Sequence, residues 1–326
     1  MTRGLGCAWL AVVLLLAPQA LAQDGAKPST APFLKVDSSF VWVPISLEPE
    51  DGRALQNAGV TKVRLWDNGI PQTVSAVRTD DLPISLVILM QTGASAGRYL
   101  DSYRDLPSVL PSLIGNAAHE ITLITFDSHV REIWHFPKQS DGVNYALTHQ
   151  KPGDLGAAIK DALAFGVRQL QAEPGRFRRV VLLLSADKDN GSSTSSQSLL
   201  EQLGSASTVV YSLHFSTRTQ SAGRSRFRGR SNPDPITREF NMALRGLDAS
   251  TAQEAASLTG GCAFQFRDQR SFNSGLLAIA ESLRDGYTVG FQPVPQVPGF
   301  HILKLKAAAP EISVTARKAY WSATER

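Results

Sequence analysis

The chain has 326 residues, 43% of them hydrophobic and 19% charged, a balance that excludes an unfolded polar chain and leaves room for one large or two modest globular domains. Its formal net charge of +4 is too small to argue for nucleic acid as a partner. Arg3, the apolar run Ala8 to Leu16, Pro18 and the small-residue site Ala20-Leu21-Ala22 before Gln23 read together as a secretory signal peptide. The apolar run is shorter than the ~20 residues of a membrane span, and no later segment resembles one. The expectation is therefore a secreted or periplasmic protein with no transmembrane span, cleaved after Ala22. Cleavage would remove Cys7 and leave Cys262 alone, which permits no internal disulfide and reads as a small buried residue.

Residues 23–32 are polar and rich in Pro and Gly, and read as a flexible leader. Residues 33–79 carry a β pattern: Val36 to Leu47 is rich in Val, Phe, Trp and Ile, Val60 to Trp66 alternates, and Asp67-Asn68-Gly69 forms a hairpin-type turn before Gln72 to Val77. From Pro83 the pattern changes. Ile84 to Met90 is a continuous apolar run, as a strand buried on both faces requires. Arg98 to Ile114 reads as a helix, and Ile121 to Phe126 and Val130 to Phe136 as an antiparallel strand pair. Leu155 to Gln171 has helical spacing, Val180 to Ser185 is an apolar strand, Leu199 to Leu203 lies in a short helix, and Thr208 to Phe215 is a strand. Thr237 to Leu258 reads as a helix with a break near Gly246, ended by Gly260-Gly261. A short strand, Ala263 to Phe266, and a last helix, Phe272 to Leu283, complete residues 83–285.

This alternation predicts a doubly wound, mostly parallel α/β sheet with helices on both faces. Its functional loops should follow Met90, Ser185 and Phe215, at the carboxyl ends of strands. Residues 286–321 return to β at Tyr287 to Phe291, His301 to Ala307 and Ile312 to Ala316. The strands of 33–79 are too few to stand alone. The expectation is that 286–321 pairs with 33–79 in a small β-sandwich built from both chain ends, with the α/β domain inserted between them.

In this order the motifs resemble those of von Willebrand factor A-related proteins of the acidobacterial type. The segment VWVPISLEPEDGRALQNAGVTKVRLWDNGIPQTVSAV is similar to that family's N-terminal strand block, and LPISLVILMQTGASAG to its first buried strand and metal loop. Leu258-Thr259-Gly260-Gly261 with Phe264, then Leu283-Arg284, Tyr287, Gly290, Phe291 and Pro293, then Ala316-Arg317 with Tyr320-Trp321, are similar to its later landmarks. The resemblance covers nearly all of the mature chain. It implies a von Willebrand A-like domain that binds a partner and does not catalyse a reaction.

The resemblance also implies a divalent cation held by Asp-x-Ser-x-Ser, a Thr on a second loop and an Asp on a third, the oxygen-rich set that a hard cation requires. Carried over residue by residue, Gln91 stands at the first Asp, Gly93 at the first Ser, Ser95 at the second, Ala157 at the Thr and Ala186 at the third-loop Asp. Only Ser95 keeps a ligand. Asp154, Asp187 and Asp189 are the candidates to substitute, although Asp187 is offset by one residue; with Asn190, Asp187 and Asp189 also read as a polar turn. The expectation is a degenerate metal site, with no bound metal and no other cofactor.

Two further constellations stand apart. Gly93-Ala94-Ser95-Ala96-Gly97 fits G-x-S-x-G between a strand and a helix, and Ser95, Asp187 and His214 follow the chain order of an α/β-hydrolase triad, although no oxyanion-hole motif precedes them. Residues 216–238 place Arg218, Arg224, Arg226, Arg228, Arg230 and Arg238 among Gly and Ser with Phe227, which reads either as a solvated insertion or as a polyanion contact. Asp127-Ser128-His129 reads as a hairpin turn, and Trp42, Trp66, Trp134 and Trp321 as sheet residues. Three functions stay open: a binding, adhesion or assembly module whose partner is a protein or an anionic envelope polymer, a serine hydrolase using Ser95, and a structural envelope scaffold.

Overall fold

A computed structural model describes residues 40–49, 63–78, 82–115, 117–137, 141–172, 178–216, 233–284, 286–307 and 312–323. The expected signal peptide with Cys7, the leader, and Arg218, Arg224, Arg226, Phe227, Arg228 and Arg230 lie outside the described residues.

The eight residues of β5 (Ile84–Gln91) are all buried. Such a strand needs a neighbour on each side and a helical layer on each face. Its parallel neighbours are β6 (His119–Phe126) and β8 (Arg178–Ala186), with Met90 opposite both Thr125 and Leu184. The sheet continues through β9 (Thr208–Phe215) to β10 (Ala263–Gln265) on one side and ends at β7 (Val130–Pro137) on the other, giving the order β10-β9-β8-β5-β6-β7. Only β7 runs antiparallel, because the turn from β6 is too short for a crossover. One helical layer is α1 (Leu100–Tyr103), α2 (Leu106–Ile114), α3 (Asp141–Thr148) and α8 (Gln269–Arg284); the other is α4 (Ile159–Ala172), α5 (Ser196–Ser205), α6 (Pro235–Ala249) and α7 (Thr251–Thr259).

Several expected boundaries move, each for a local reason. The single helix expected over 98–114 is a 3₁₀ segment (Ala94–Tyr99) followed by α1 and α2. Pro107 in the first turn of α2 restarts the helix there, since proline removes a donor and suits a helix start. Residues 155–158 are not helical, because Ala157 pairs through its backbone with Asn190 instead. The break expected near Gly246 falls at Ser250, which has left the helical region at φ −153° and donates its hydroxyl to Asp187. The helix α3 has no counterpart in the sequence reading, and the last strand, β14 (Ala319–Ser322), is anticipated there only by Trp321 as a sheet residue.

Strands from the two ends of the chain hydrogen-bond to one another. One sheet has the order β13-β1-β11-β4, from Ile312–Ala316, Val41–Pro49, Gly286–Phe291 and Val74–Arg78; the other has the order β14-β12-β2-β3, in which β12 is Gly299–Ala307, β2 is Val63–Asp67 and β3 is Ile70–Gln72. Val43 faces Val289, and Leu65 faces Leu305. Alternation along β2 turns Val63, Leu65 and Asp67 inward, and an apolar cluster of Val43, Ile45, Leu65, Val289, Phe291 and Tyr320 joins the two sheets.

Arg317, between β13 and β14, ties these strands to the α/β domain. It is 3% exposed and faces the open carbonyls at the end of α5. Its guanidinium donates to Ala206 O (2.8 Å), Gly204 O (2.7 Å) and Leu203 O, while Nε donates to Ala319 O (2.7 Å). A cation at a helix C-terminus meets both the unpaired carbonyls and the negative end of the dipole. Burial pushes the Arg317 pKa down to about 10, still far above neutrality. Arg317→Ala would strand several buried carbonyls, and the expected loss is roughly 3 kcal/mol or more of unfolding free energy, measured by urea denaturation.

Candidate functional site

The site builds up from β5. Its last residue, Gln91, is fully buried and uses both ends of its amide: Nε2 donates to Gly93 O (3.0 Å), and Oε1 accepts the N–H of Ala186 at the end of β8 (2.7 Å). The next loop has no room for side chains. A Cβ at Gly93 would lie 2.4 Å from Gly156 O and 2.5 Å from Asp127 Cβ, and one at Gly156 would lie 2.4 Å from Ser128 Cβ. Glycine stands at both positions because the loops after β5 and before α4 close onto the β6–β7 turn.

Asp127 occupies the centre of that closure, with a side chain 3% exposed. Nε of Arg131 donates to both of its oxygens (2.6 and 2.7 Å), and the N–H groups of His129 and Asp154 add 3.1 and 3.2 Å bonds. Burial alone would raise this carboxyl's pKa, but the Arg131 and backbone bonds outweigh it and hold the group below its ordinary value. Asp154 accepts the N–H and hydroxyl of Ser128, the N–H of Gly156 (2.7 Å) and Nη2 of Arg131 (3.1 Å), and its pKa is also lowered, chiefly by the Ser128 hydroxyl and the Gly156 N–H. Arg131 thus spans two carboxylates from different loops. Asp127, His129 and Asp154 offer ligand atoms within 4.8 Å of one another, yet the Arg131 guanidinium already satisfies the two carboxylates.

The positions carried over from the family pattern do not fit a hard cation. The Gln91 oxygen is committed to Ala186 N–H. Ala157 and Ala186 are buried methyl groups, and Gly93 cannot be replaced by Ser without a collision. The substitutes fall in separate places. Asp154 belongs to the Arg131 group. Asp187 accepts from Ser250 Oγ (2.5 Å) and lies 3.9 Å from Nε2 of His214. Asp189 accepts from Lys160 N (2.9 Å) and Ser192 Oγ (2.5 Å).

Asp187 and His214 are brought together because β8 and β9 are neighbours, with Ser185 opposite His214. His214 is 7% exposed and its Nδ1 has no partner among the described residues. Burial pushes its pKa below the ordinary imidazole range, against the opposing pull of Asp187. Ser95 lies in the 3₁₀ segment after β5. The sequence reading missed Arg131. Its only trace there is a basic residue four positions after an acidic one across a tight turn.

No protein-family model matches this chain, and no curated protein matches it. Among solved structures, a von Willebrand factor type A protein from Catenulispora acidiphila is similar at 11% identity and a TM-score of 0.43, covering 88% of this chain and 75% of that one. An aerotolerance-related membrane protein from Bacteroides fragilis is similar at 17% identity and 0.40, covering 61% of this chain and 98% of that one. Proximal thread matrix protein 1 of the mussel byssus, with a zinc-occupied MIDAS motif, is similar at 12% identity and 0.43, and this chain covers 49% of it. Likenesses this slight carry no argument, and the architecture rests on the strand order itself.

Two outcomes test the site's construction. Gln91→Leu leaves the buried Ala186 N–H and Gly93 carbonyl without their partner and is expected to cost about 2 kcal/mol in urea denaturation. Arg131→Gln is expected to lower the urea midpoint at pH 7. Because the Asp127 and Asp154 pKa values are depressed, their contribution is present above the unfolded carboxylate value and is lost as pH falls through the folded one. The gap between variant and wild type should therefore narrow on acidification.

Proposed function

We propose that this chain is an exported, non-enzymatic binding or assembly module of the von Willebrand A-like kind. Its recognition surface is the set of loops at the carboxyl ends of the parallel strands, and its grip on a partner needs no cation. One observation carries this reading: Gln91 and Arg131 tie together, by hydrogen bonds, the loops that a divalent cation organises in the pattern this sequence resembles. A surface already fixed in this way is preorganised for binding. No helix among the described residues is long and apolar enough to cross a membrane.

The partner is a protein or an anionic envelope polymer. The arginines of residues 216–238 favour the polymer, because so dense a run of guanidinium groups in the sequence suits a polyanion. The test uses heparin and anionic-lipid vesicles at low salt. The full chain is expected to bind, with no change on adding a chelator and at least a tenfold weakening when Arg224, Arg226, Arg228 and Arg230 are all changed to Ser. Chelator-sensitive binding sinks the cation-free reading, and absence of wild-type binding sinks the polyanion.

A second reading is a serine hydrolase with Ser95 as nucleophile, supported by the proximity of Asp187 and His214. A fluorophosphonate probe decides it. Labelling at Ser95 would make the chain an enzyme, and folded protein that stays unlabelled retires the idea.

A further inference from the structure

A second group of titratable side chains sits beside the core that joins the two four-stranded sheets. His301 of β12 is 2% exposed. Its Nδ1 lies 2.9 Å from Asp67 Oδ1, and its Nε2 lies 2.6 Å from the carbonyl oxygen of Val297. Neither oxygen has a hydrogen to give. Asp67 accepts a further bond from Tyr320 Oη (2.8 Å), as a carboxylate does. Both ring nitrogens must therefore donate, and only the imidazolium carries two N–H groups. Two further groups lie near Nδ1: Tyr320 Oη at 3.1 Å, whose hydrogen goes to Asp67, and the amide nitrogen of Asn68 at 3.3 Å, a donor because its carbonyl is committed to Ile302 N–H (2.9 Å). The Asp67 contact is the shortest of the three and the charge-assisted one, and it places a hydrogen on Nδ1.

Val297 belongs to the connection between β11 and β12. That connection is fastened at two points. Gln72 brackets Val294, donating to its carbonyl (3.0 Å) and accepting its N–H (3.1 Å). His301 holds Val297. Between these fasteners and α6 lies an open cleft of about 380 Å³, with Val297, Pro298 and Phe300 on one wall and Ile236, Thr237 and Phe240 on the other.

We propose that His301 is a pH-operated latch on this cleft. While the imidazolium bridges Asp67 and Val297, the Val297–Pro298 wall is held in; when the ring loses one proton, the wall is released. A neutral ring has a single N–H. It stays with Asp67, where the buried carboxylate makes the stronger, charge-assisted bond, and a lone pair is left facing the Val297 oxygen. The contact at 2.6 Å then becomes repulsive.

The pH sense follows from the surroundings. Burial disfavours the charged ring, but Asp67 and the Val297 carbonyl outweigh it and raise the His301 pKa above its ordinary value. A raised pKa means that the contribution is complete below the unfolded value of about 6.5 and is lost as pH rises through the folded value. The latch is closed in acid and opens on the alkaline side. Among the described residues, the other groups facing the ring do not titrate in this window. The Tyr320 hydroxyl is pushed far above its ordinary range by burial and by Asp67, Asn68 has no charge, and α6 presents Ile236, Thr237 and Phe240 to the cleft.

The test is an NMR titration of the full chain, following the His301 imidazole and the backbone amides of Val297, Gly299 and Phe300. His301 is expected to lose its proton above pH 6.5, and the three amides to shift with the same midpoint. In His301→Gln that amide step should disappear. A histidine that titrates at or below about 6.5, amides that do not follow it, or a step that persists in His301→Gln would overturn the latch. If the variant fails to fold, the wild-type titration decides alone.

Discussion

A strand with no exposed residue has to be covered on both faces and flanked on both edges, and β5 imposes that condition on the rest of the molecule. The helices divide into two layers because each face needs one. The parallel neighbours require crossovers, so the chain returns repeatedly to the same end of the sheet and turns there. Crowding at that end follows, and Gly93 and Gly156 are its residue-level signature, since each backbone lies where a side chain would collide with the β6–β7 turn.

Two guanidinium groups hold the parts together. Arg131 joins two carboxylates at the loop end, and Arg317 joins carbonyls where the end strands meet α5. Both use the planar fork that lysine lacks. They differ in solvent. Arg131 is half exposed, so its contribution belongs to the geometry of the loops more than to overall stability. Arg317 is buried, and the carbonyls of Leu203, Gly204, Ala206 and Ala319 compensate its charge. Gln91 works in the same spirit without any charge, fixing the ends of two strands through one amide.

What could be read from the sequence was mostly what is local. The apolar run of β5, the β6–β7 hairpin and the strand–helix alternation are patterns within a dozen residues, and the mostly parallel sheet follows from them. Helix boundaries were less legible because single residues override periodicity: Pro107 restarts a helix, and Ser250 breaks one by turning its hydroxyl to Asp187. The short β14 and the Gly-containing α3 are too weakly patterned to stand out. At the candidate site, the residue types at Gln91, Gly93, Ala157 and Ala186 were legible. The long-range contacts were not, at this site or beside the second core, because Arg131 reaches Asp154 across 23 residues and His301 reaches Asp67 across 234. Nothing in local composition announces a pairing of that span.

The position of Arg317 has a consequence for how the molecule is made. The helix it caps, α5, lies more than a hundred residues earlier, and β1 finds both of its partners only in β11 and β13. A chain that emerges amino end first therefore reaches the end of α5 with its carbonyls uncapped and carries β1 as an unpaired edge until the last strands arrive. Such long-range closure is slow to form and cannot be completed vectorially. Closure of this part of the fold waits on residues 286–317, far along the chain from the strand and the helix they complete.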